Sequence, residues 1–230
     1  MKNDVVTAIV LAAGQGKRMN SDVPKQFMML GEHPVLYYTL KAFQASEVCS
    51  IVLVTGEDEI EWCQKTFVEG YRFDKIRAVI AGGKERYDSV LKGLEAARGC
   101  SYVLIHDGAR PVISPGLIND NIACVKDCGA CITAVPAKDT IKVADADGFV
   151  ESTPDRSRLW QVQTPQSFDY DLIFKAHQMR LAAADTAVTD DAMLIEKYLG
   201  HKVRLLMGDY RNLKITTPED MITAAAFLGI

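Results

Sequence analysis

Short β-branched apolar runs alternate with helically spaced segments through the first half of the chain, and this rhythm most restricts how it folds. The runs are Val5 to Leu11, Ile51 to Thr55, Ile76 to Ile80, Tyr102 to His106 and Cys131 to Val135. Continuous apolar runs of this length read as strands buried on both faces, as in a parallel sheet. Between them, Val35 to Ala45, Glu57 to Phe67, Asp88 to Arg98 and Pro115 to Lys126 carry helical spacing. The alternation predicts an α/β fold, a Rossmann-like, doubly wound, mostly parallel sheet with helices on both faces. Ligands in such folds bind outside the carboxyl ends of the strands, so the loops after these runs are where a site is expected.

After Val135 the rhythm changes. Thr140 to Ala144 and Phe149 to Ser152 are short extended pieces around Asp145-Ala146-Asp147-Gly148, whose Asp-Gly favours a hairpin turn. Residues 138–157 are therefore expected to form a protruding β-hairpin arm on a single domain spanning residues 1–230. An isolated two-stranded hairpin is marginal in water, so the arm is expected to pack on a second copy of the chain as a homodimer. The chain then returns through Leu159 to Gln163, helices over Asp169 to Ala183 and Asp190 to Tyr198, a strand over Val203 to Met207 and a closing helix after Thr217-Pro218.

Composition narrows the class of partner. With 26 Lys and Arg against 30 Asp and Glu, the formal charge of −4 argues against backbone binding of nucleic acid. No apolar stretch reaches the roughly 20 residues of a membrane span, and Asp4 spoils any likeness of the first residues to a secretory signal, so a soluble cytoplasmic protein without a membrane partner is expected. The six cysteines are too scattered for a disulfide framework. Cys124, Cys128 and Cys131 do share a C-x-x-x-C-x-x-C spacing used by some iron-sulfur enzymes, but two of them fall on a helix and one in a buried strand, which favours packing.

The strand Val5 to Leu11 runs into Ala12-Ala13-Gly14-Gln15-Gly16-Lys17-Arg18. Small residues let backbone N–H groups approach a phosphate, and Lys17, Arg18 and Lys25 add positive charge beside it. A G-x-G-x-x-G pattern is absent, which points away from a dinucleotide. Gly83 and Ser89 follow the third run, where free N–H groups of a helix start can read a base edge. Asp107 and Arg110 follow the fourth; a carboxylate there can meet a divalent cation and a guanidinium can grip an anion. Later candidates are Arg156, Thr164 within Gln163-Thr164-Pro165-Gln166, Thr189 and Lys214.

Taken in order, LAAGQGKRM, PKQF, AGGKERYDSV, HDGARP, VPAKDTI, DRSRLWQVQTPQSF, TDDA and NLKITTPEDM resemble the 2-C-methyl-D-erythritol 4-phosphate cytidylyltransferases of the non-mevalonate isoprenoid pathway, over nearly the whole chain. The resemblance implies transfer of CMP from CTP, with Mg²⁺ as cofactor. It places Leu11, Ala12, Ala13, Gly14, Gly16, Gly83 and Ser89 around the nucleotide. Arg18 and Lys25 match the pair that stabilises the transition state, and Arg156 and Lys214 complete the catalytic set. Asp107, Arg110, Thr140, Thr164 and Thr189 match positions that bind the sugar-alcohol phosphate, with Arg110, Thr140 and Arg156 directed to the partner subunit's site; Asp107 is the metal contact. Leu11 stands where many members have proline, and ribitol 5-phosphate cytidylyltransferases share the nucleotide loop and QTPQ, leaving ribitol 5-phosphate as an alternative acceptor.

The chemistry implied needs no enzyme nucleophile, because the acceptor phosphate is already an anion; accordingly no Ser/His/Asp or Cys/His arrangement is evident. Positioning and local positive charge are expected to carry catalysis.

Overall fold

The structure, a computed structural model, describes residues 4–14 and 23–230. In chain order, β1 (Val6–Ala12) leads to the short pair β2 (Met29–Leu30) and β3 (His33–Pro34), then α1 (Val35–Gln44), β4 (Ser50–Thr55) and α2 (Ile60–Cys63). Next come β5 (Ile76–Ala81), α3 (Arg86–Ala96), β6 (Tyr102–Asp107), α4 (Pro115–Cys128) and β7 (Ala130–Pro136). The hairpin strands β8 (Val143–Ala144) and β9 (Val150–Ser152) precede β10 (Trp160–Asp169), α5 (Tyr170–Ala182), α6 (Asp191–Leu194), β11 (Arg204–Met207) and α7 (Pro218–Leu228).

The central sheet has seven strands in the order β11-β7-β10-β6-β1-β4-β5. Pairings β6·β1, β1·β4, β4·β5 and β7·β11 are parallel, while β10 runs antiparallel between β6 and β7. Its twofold side-chain alternation explains the unbroken apolar runs: on β1, Ala8, Val10 and Ala12 pack with Leu36, Leu40 and Phe43 of α1 and Ile118 of α4, whereas Ile9 packs on the other face with Val90 and Leu94 of α3. Both faces are covered, so neither can be polar.

Local signals set the helix ends near the cavity and away from it. Ser114 caps α4 by accepting a hydrogen bond from Leu117 N at 3.2 Å, with Pro115 at the first helical position. Gly129 ends α4 in the left-handed region at φ 74°, turning the chain directly into β7. At α7, Thr217 and Asp220 form a capping box before Met221.

The strands expected from the sequence are present to within a residue or two, with two exceptions: of the extended piece expected over Thr140 to Ala144 only Val143–Ala144 is a strand, and β10 extends through Thr164 to Asp169 rather than stopping at Gln163. The helix expected over Glu57 to Phe67 is broken into a 3₁₀ turn at Glu57–Glu59, the short α2 and a π-helical segment Gln64–Gly70. Asp190 caps α6, its carboxylate accepting from Met193 N at 2.9 Å; α6 continues into a π-helical turn at Ile195–Leu199. Among the described residues, no helix is long and apolar enough to cross a membrane.

Candidate active site

The carboxyl ends of β1, β5 and β6 open on one cavity of about 330 Å³. Its walls include Leu11, Ala12, Ala13 and Gly14 from the end of β1, Lys25 and Gln26 just beyond, Gly83 to Arg86 and Ser89 at the start of α3, Asp107 and Ala109 after β6, and Lys214 and Thr216. The end of β1 is held by Gln26, which donates through Nε2 to the carbonyls of Ala12 and Gly14. Gly83 is required by close approach, since a Cβ there would lie 2.4 Å from the Cβ of Asp88. Ser89 Oγ accepts from Gly83 N at 3.0 Å and donates to Glu85 O at 3.2 Å, fixing the turn from β5 into α3.

Asp107 is the electrostatic hub. It is only 8% exposed, and Lys214 Nζ lies 2.9 Å from Oδ2, Arg86 Nε 3.6 Å from Oδ1 and Arg110 Nε 3.7 Å from Oδ2. Burial alone would raise its pKa; the three cations overcome that and hold the carboxyl well below the usual carboxylate range. Thr164 Oγ1 accepts from Asp107 N at 3.1 Å and also meets His106 Nδ1 at 3.0 Å, so this buried threonine braces the β6 terminus from β10. Arg86 spans two carboxylates, its Nη2 lying 2.8 Å from Asp191 Oδ2.

The segment bearing Lys214 has no regular structure and is stitched down instead. Asn212, almost fully buried, donates to Thr164 O at 2.8 Å, and Arg110 Nη1 donates to the carbonyl of Asn212 at 2.7 Å. Ile215 N donates to Ala109 O at 2.8 Å, and Asp220 Oδ2 accepts from Thr216 N and Thr217 N. Lys25 Nζ donates to Ile215 O at 2.6 Å, tying the opposite wall to this segment. Two lysines thus face one space from separate parts of the chain.

The structure matches the family model described as IspD, 2-C-methyl-D-erythritol 4-phosphate cytidylyltransferase, over residues 6–229. The chain belongs to that family. It is 48% identical to the 2-C-methyl-D-erythritol 4-phosphate cytidylyltransferase of Lachnoclostridium phytofermentans over 97% of this chain and 96% of that one, and 51% identical to the protein of the same name from Lachnospira eligens over 96% and 98%. The crystal structure of 4-diphosphocytidyl-2C-methyl-D-erythritol synthase from Anaerococcus prevotii superposes with a TM-score of 0.87 at 37% identity, covering 99% of this chain and 97% of that one. As a member of the IspD family the protein is an enzyme, a cytidylyltransferase.

Against this IspD cavity, the residues singled out in the sequence divide into groups. Leu11, Ala12, Ala13, Gly14, Lys25, Gly83, Ser89, Asp107 and Lys214 line one space. Gly16 and Arg18 lie outside the described residues. Arg110 and Thr164 are not among the residues that line the cavity: Arg110 is 9% exposed and engages Asp107 and the carbonyl of Asn212. Thr140 and Arg156 belong to the exposed arm region, where Arg156 Nη1 donates to Lys138 O at 2.8 Å. Thr189 is exposed, with its hydroxyl 3.7 Å from Met193 Sδ. Arg86 and Gln26 were not selected from the sequence, although AGGKER and PKQF contain them; only the tertiary pairing with Asp107 and Asp191 distinguishes Arg86 from its exposed neighbour Lys84.

The fully buried His106, next to Asp107, is expected to make folding of this chain acid-sensitive. Desolvation dominates its environment and pushes its pKa down to about 3, against roughly 6.5 in an unfolded chain. A neutral buried imidazole favours folding fully above the unfolded pKa, and this contribution is lost as pH falls below ~6.5, because only the unfolded chain then takes up the proton. The expected slope from this one group is about 1.4 kcal/mol per pH unit in that window. Unfolding free energies of the wild type and His106→Asn between pH 7 and 5 check it: the variant should show a slope shallower by about one proton, and parallel curves would contradict the assignment.

Proposed function

We infer that this protein transfers CMP from CTP to 2-C-methyl-D-erythritol 4-phosphate, giving 4-diphosphocytidyl-2-C-methyl-D-erythritol and pyrophosphate for isoprenoid precursor synthesis. The relatives named above carry this activity in their names, and ribitol 5-phosphate finds no support among them. The observation that carries the reading is the cavity itself, lined by the small residues Ala12, Ala13 and Gly14, by Lys25 and Lys214, and by Asp107, which Lys214, Arg86 and Arg110 hold ionised.

In this reading the triphosphate lies along Leu11 to Gly14 and the following loop with Gly16, and the cytosine lies toward Gly83 and Ser89. An acceptor phosphate oxygen attacks the α-phosphorus; the new P–O bond forms as the bond to the β-phosphate breaks, and pyrophosphate leaves with the electron pair. No side chain has to remove a proton. Lys25, with Arg18, stabilises charge on the pentavalent phosphorus, while Lys214 and Asp107 orient the acceptor. The cavity wall offers Asp107 and Glu85 as carboxylates, and Asp107 is already compensated by three cations. That donor set fits Mg²⁺ carried chiefly by phosphate oxygens and water, with Asp107 as the protein contact. When bound, the ion supplies neutralisation of the triphosphate.

Arg156 and Thr140 are proposed to serve the neighbouring subunit. The hairpin turn is closed locally, Asp145 Oδ1 accepting from Asp147 N and Phe149 N at 3.0 and 2.9 Å, yet the arm leaves Phe149 72% and Val150 61% exposed. An arm of about residues 138–157 that exposes Ile141, Val143, Phe149 and Val150 fits a homodimer contact. Arg156→Ala is expected to lower acceptor kcat/KM about 10- to 100-fold, the value of one charge-assisted hydrogen bond of roughly 1.5–3 kcal/mol, while CTP binding stays unchanged. Calorimetric CTP binding and acceptor kinetics on one preparation test this; equal loss of both would contradict it. At low acceptor concentration, where both variants are impaired, mixing Lys25→Ala and Arg156→Ala chains and allowing subunits to exchange should raise activity to about a quarter of wild type, from heterodimers with one intact site. No recovery in verified heterodimers would show that each site is built from one chain.

A further inference from the structure

Outside the residues that line the cavity, where α4 runs into β7 beside the edge strand β11, three thiols converge. Cys124 and Cys128 lie one turn apart at the end of α4, and the left-handed turn at Gly129 brings Cys131 of β7 back beside them. Their sulfurs all lie within 4.8 Å of one another, and Cys124 Sγ and Cys128 Sγ are 3.9 Å apart. Thiolates sharing one tetrahedral ion at a metal–sulfur distance of about 2.3 Å stand ~3.8 Å apart, so two are already spaced for a common metal and the third needs a shift of at most about 1 Å. Ligands of an iron-sulfur cluster bind separate irons and diverge; these converge on one point.

We propose that Cys124, Cys128 and Cys131 form a binding site for one thiophilic divalent cation of the Zn²⁺ class. Thiolate donors select such ions over Mg²⁺, which takes oxygen, so this site and the cavity do not compete for the same metal. Binding balances as three thiols plus M²⁺ giving a tris-thiolate complex of charge −1 and three protons released to solvent. The surroundings favour a cation and tolerate that residual charge. The carbonyl end of α4 carries the negative pole of the helix, and Cys128 Sγ already donates to Cys124 O at 3.0 Å and Ala130 O at 3.2 Å. Arg204, paired with Cys131 in the β7·β11 ladder, holds Asp127 through Nη1 next to the cluster. Water can fill the fourth position of a tetrahedral ion held by the three sulfurs.

Cys124 and Cys128 are half-buried, so an ion reaches them without unfolding, while Cys131 is fully buried and its thiol is kept protonated by desolvation until a metal displaces the proton. The bound ion would staple the end of α4 to the start of β7.

The test uses the reduced, chelator-treated full chain in excess Mg²⁺, titrated with Co²⁺ as a spectroscopic probe and then with Zn²⁺. The expected result is one equivalent of Co²⁺ binding with release of three protons and an intense thiolate-to-metal absorption, which Zn²⁺ then abolishes by displacing Co²⁺ without further proton release. Cys128→Ser and Cys124→Ser, which avoid the fully buried position, should weaken binding at least tenfold and leave cytidylyl transfer unchanged, while Cys49→Ser, at an exposed cysteine elsewhere, should bind as the wild type does. Absence of the thiolate band in the wild type, or an undiminished band in both Cys124→Ser and Cys128→Ser, would overturn the proposal.

Discussion

Lys25→Ala should fold normally and lose about 10²- to 10³-fold in turnover, the usual cost of removing one preorganised charge from a transition state that develops negative charge. Lys25 sits directly after the loop that follows β1, in the short 3₁₀ turn Lys25–Phe27, and its ammonium reaches across to Ile215 O at 2.6 Å. That contact spans the cavity mouth, so the side chain is placed before substrate arrives and little reorganisation is required during reaction. Binding of CTP is expected to change far less than turnover, because a group acting on the pentavalent phosphorus contributes mainly in the transition state. Single-turnover rates at saturating CTP and acceptor check this. A folded Lys25→Ala enzyme with near-normal turnover would remove Lys25 from the catalytic role.

The second large effect is expected at Asp107. In Asp107→Ala, Lys214, Arg86 and Arg110 lose the carboxylate on which they converge at 2.9, 3.6 and 3.7 Å. Arg86 keeps Asp191, but the other two are left facing each other beside a buried surface. Removing one partner from a buried ion cluster typically costs about 3–5 kcal/mol, and for a domain of this size that lowers the melting temperature by roughly 6–20 °C. The same depressed pKa dictates the acid side: the stabilisation is complete above the ordinary carboxylate pKa of about 3.9 and is lost as pH falls from there toward the lower native value. Thermal unfolding of Asp107→Ala at neutral pH checks the magnitude, and a melting temperature within 2 °C or so of wild type would show that the cluster contributes little. Where the variant remains folded, loss of acceptor use should exceed loss of CTP binding.

Much of this architecture was legible because burial on both faces of a parallel sheet leaves an unmistakable mark: Ile9 and Ala8 on β1 must both be apolar. The strand β10 was cut short for the opposite reason. Its Gln163, Thr164, Gln166 and Ser167 look like a loop, yet each is buried and satisfied: Gln166 accepts from Asp191 N and Ala192 N and donates to Asp190, and Ser167 donates to Asn121. Polarity in a sequence cannot show that its partners wait across the fold. The same holds within the site. Gly83, Asp107 and Lys214 stand in recognisable segments, but that Arg86 bridges Asp107 to Asp191, or that Arg110 and Asn212 anchor the segment bearing Lys214, depends on contacts between residues far apart in the chain. The cysteine spacing was visible too; only the fold shows that the turn at Gly129 makes its three sulfurs meet.

The most direct test of the central claim is pyrophosphate release with CTP and Mg²⁺, supplying 2-C-methyl-D-erythritol 4-phosphate and ribitol 5-phosphate separately under identical conditions. Rapid release with the first and little with the second is the expected result. Preference for ribitol 5-phosphate would contradict the acceptor assignment while leaving the cytidylyl transfer intact, and release with neither would contradict the claim that this cavity catalyses transfer between these two anions.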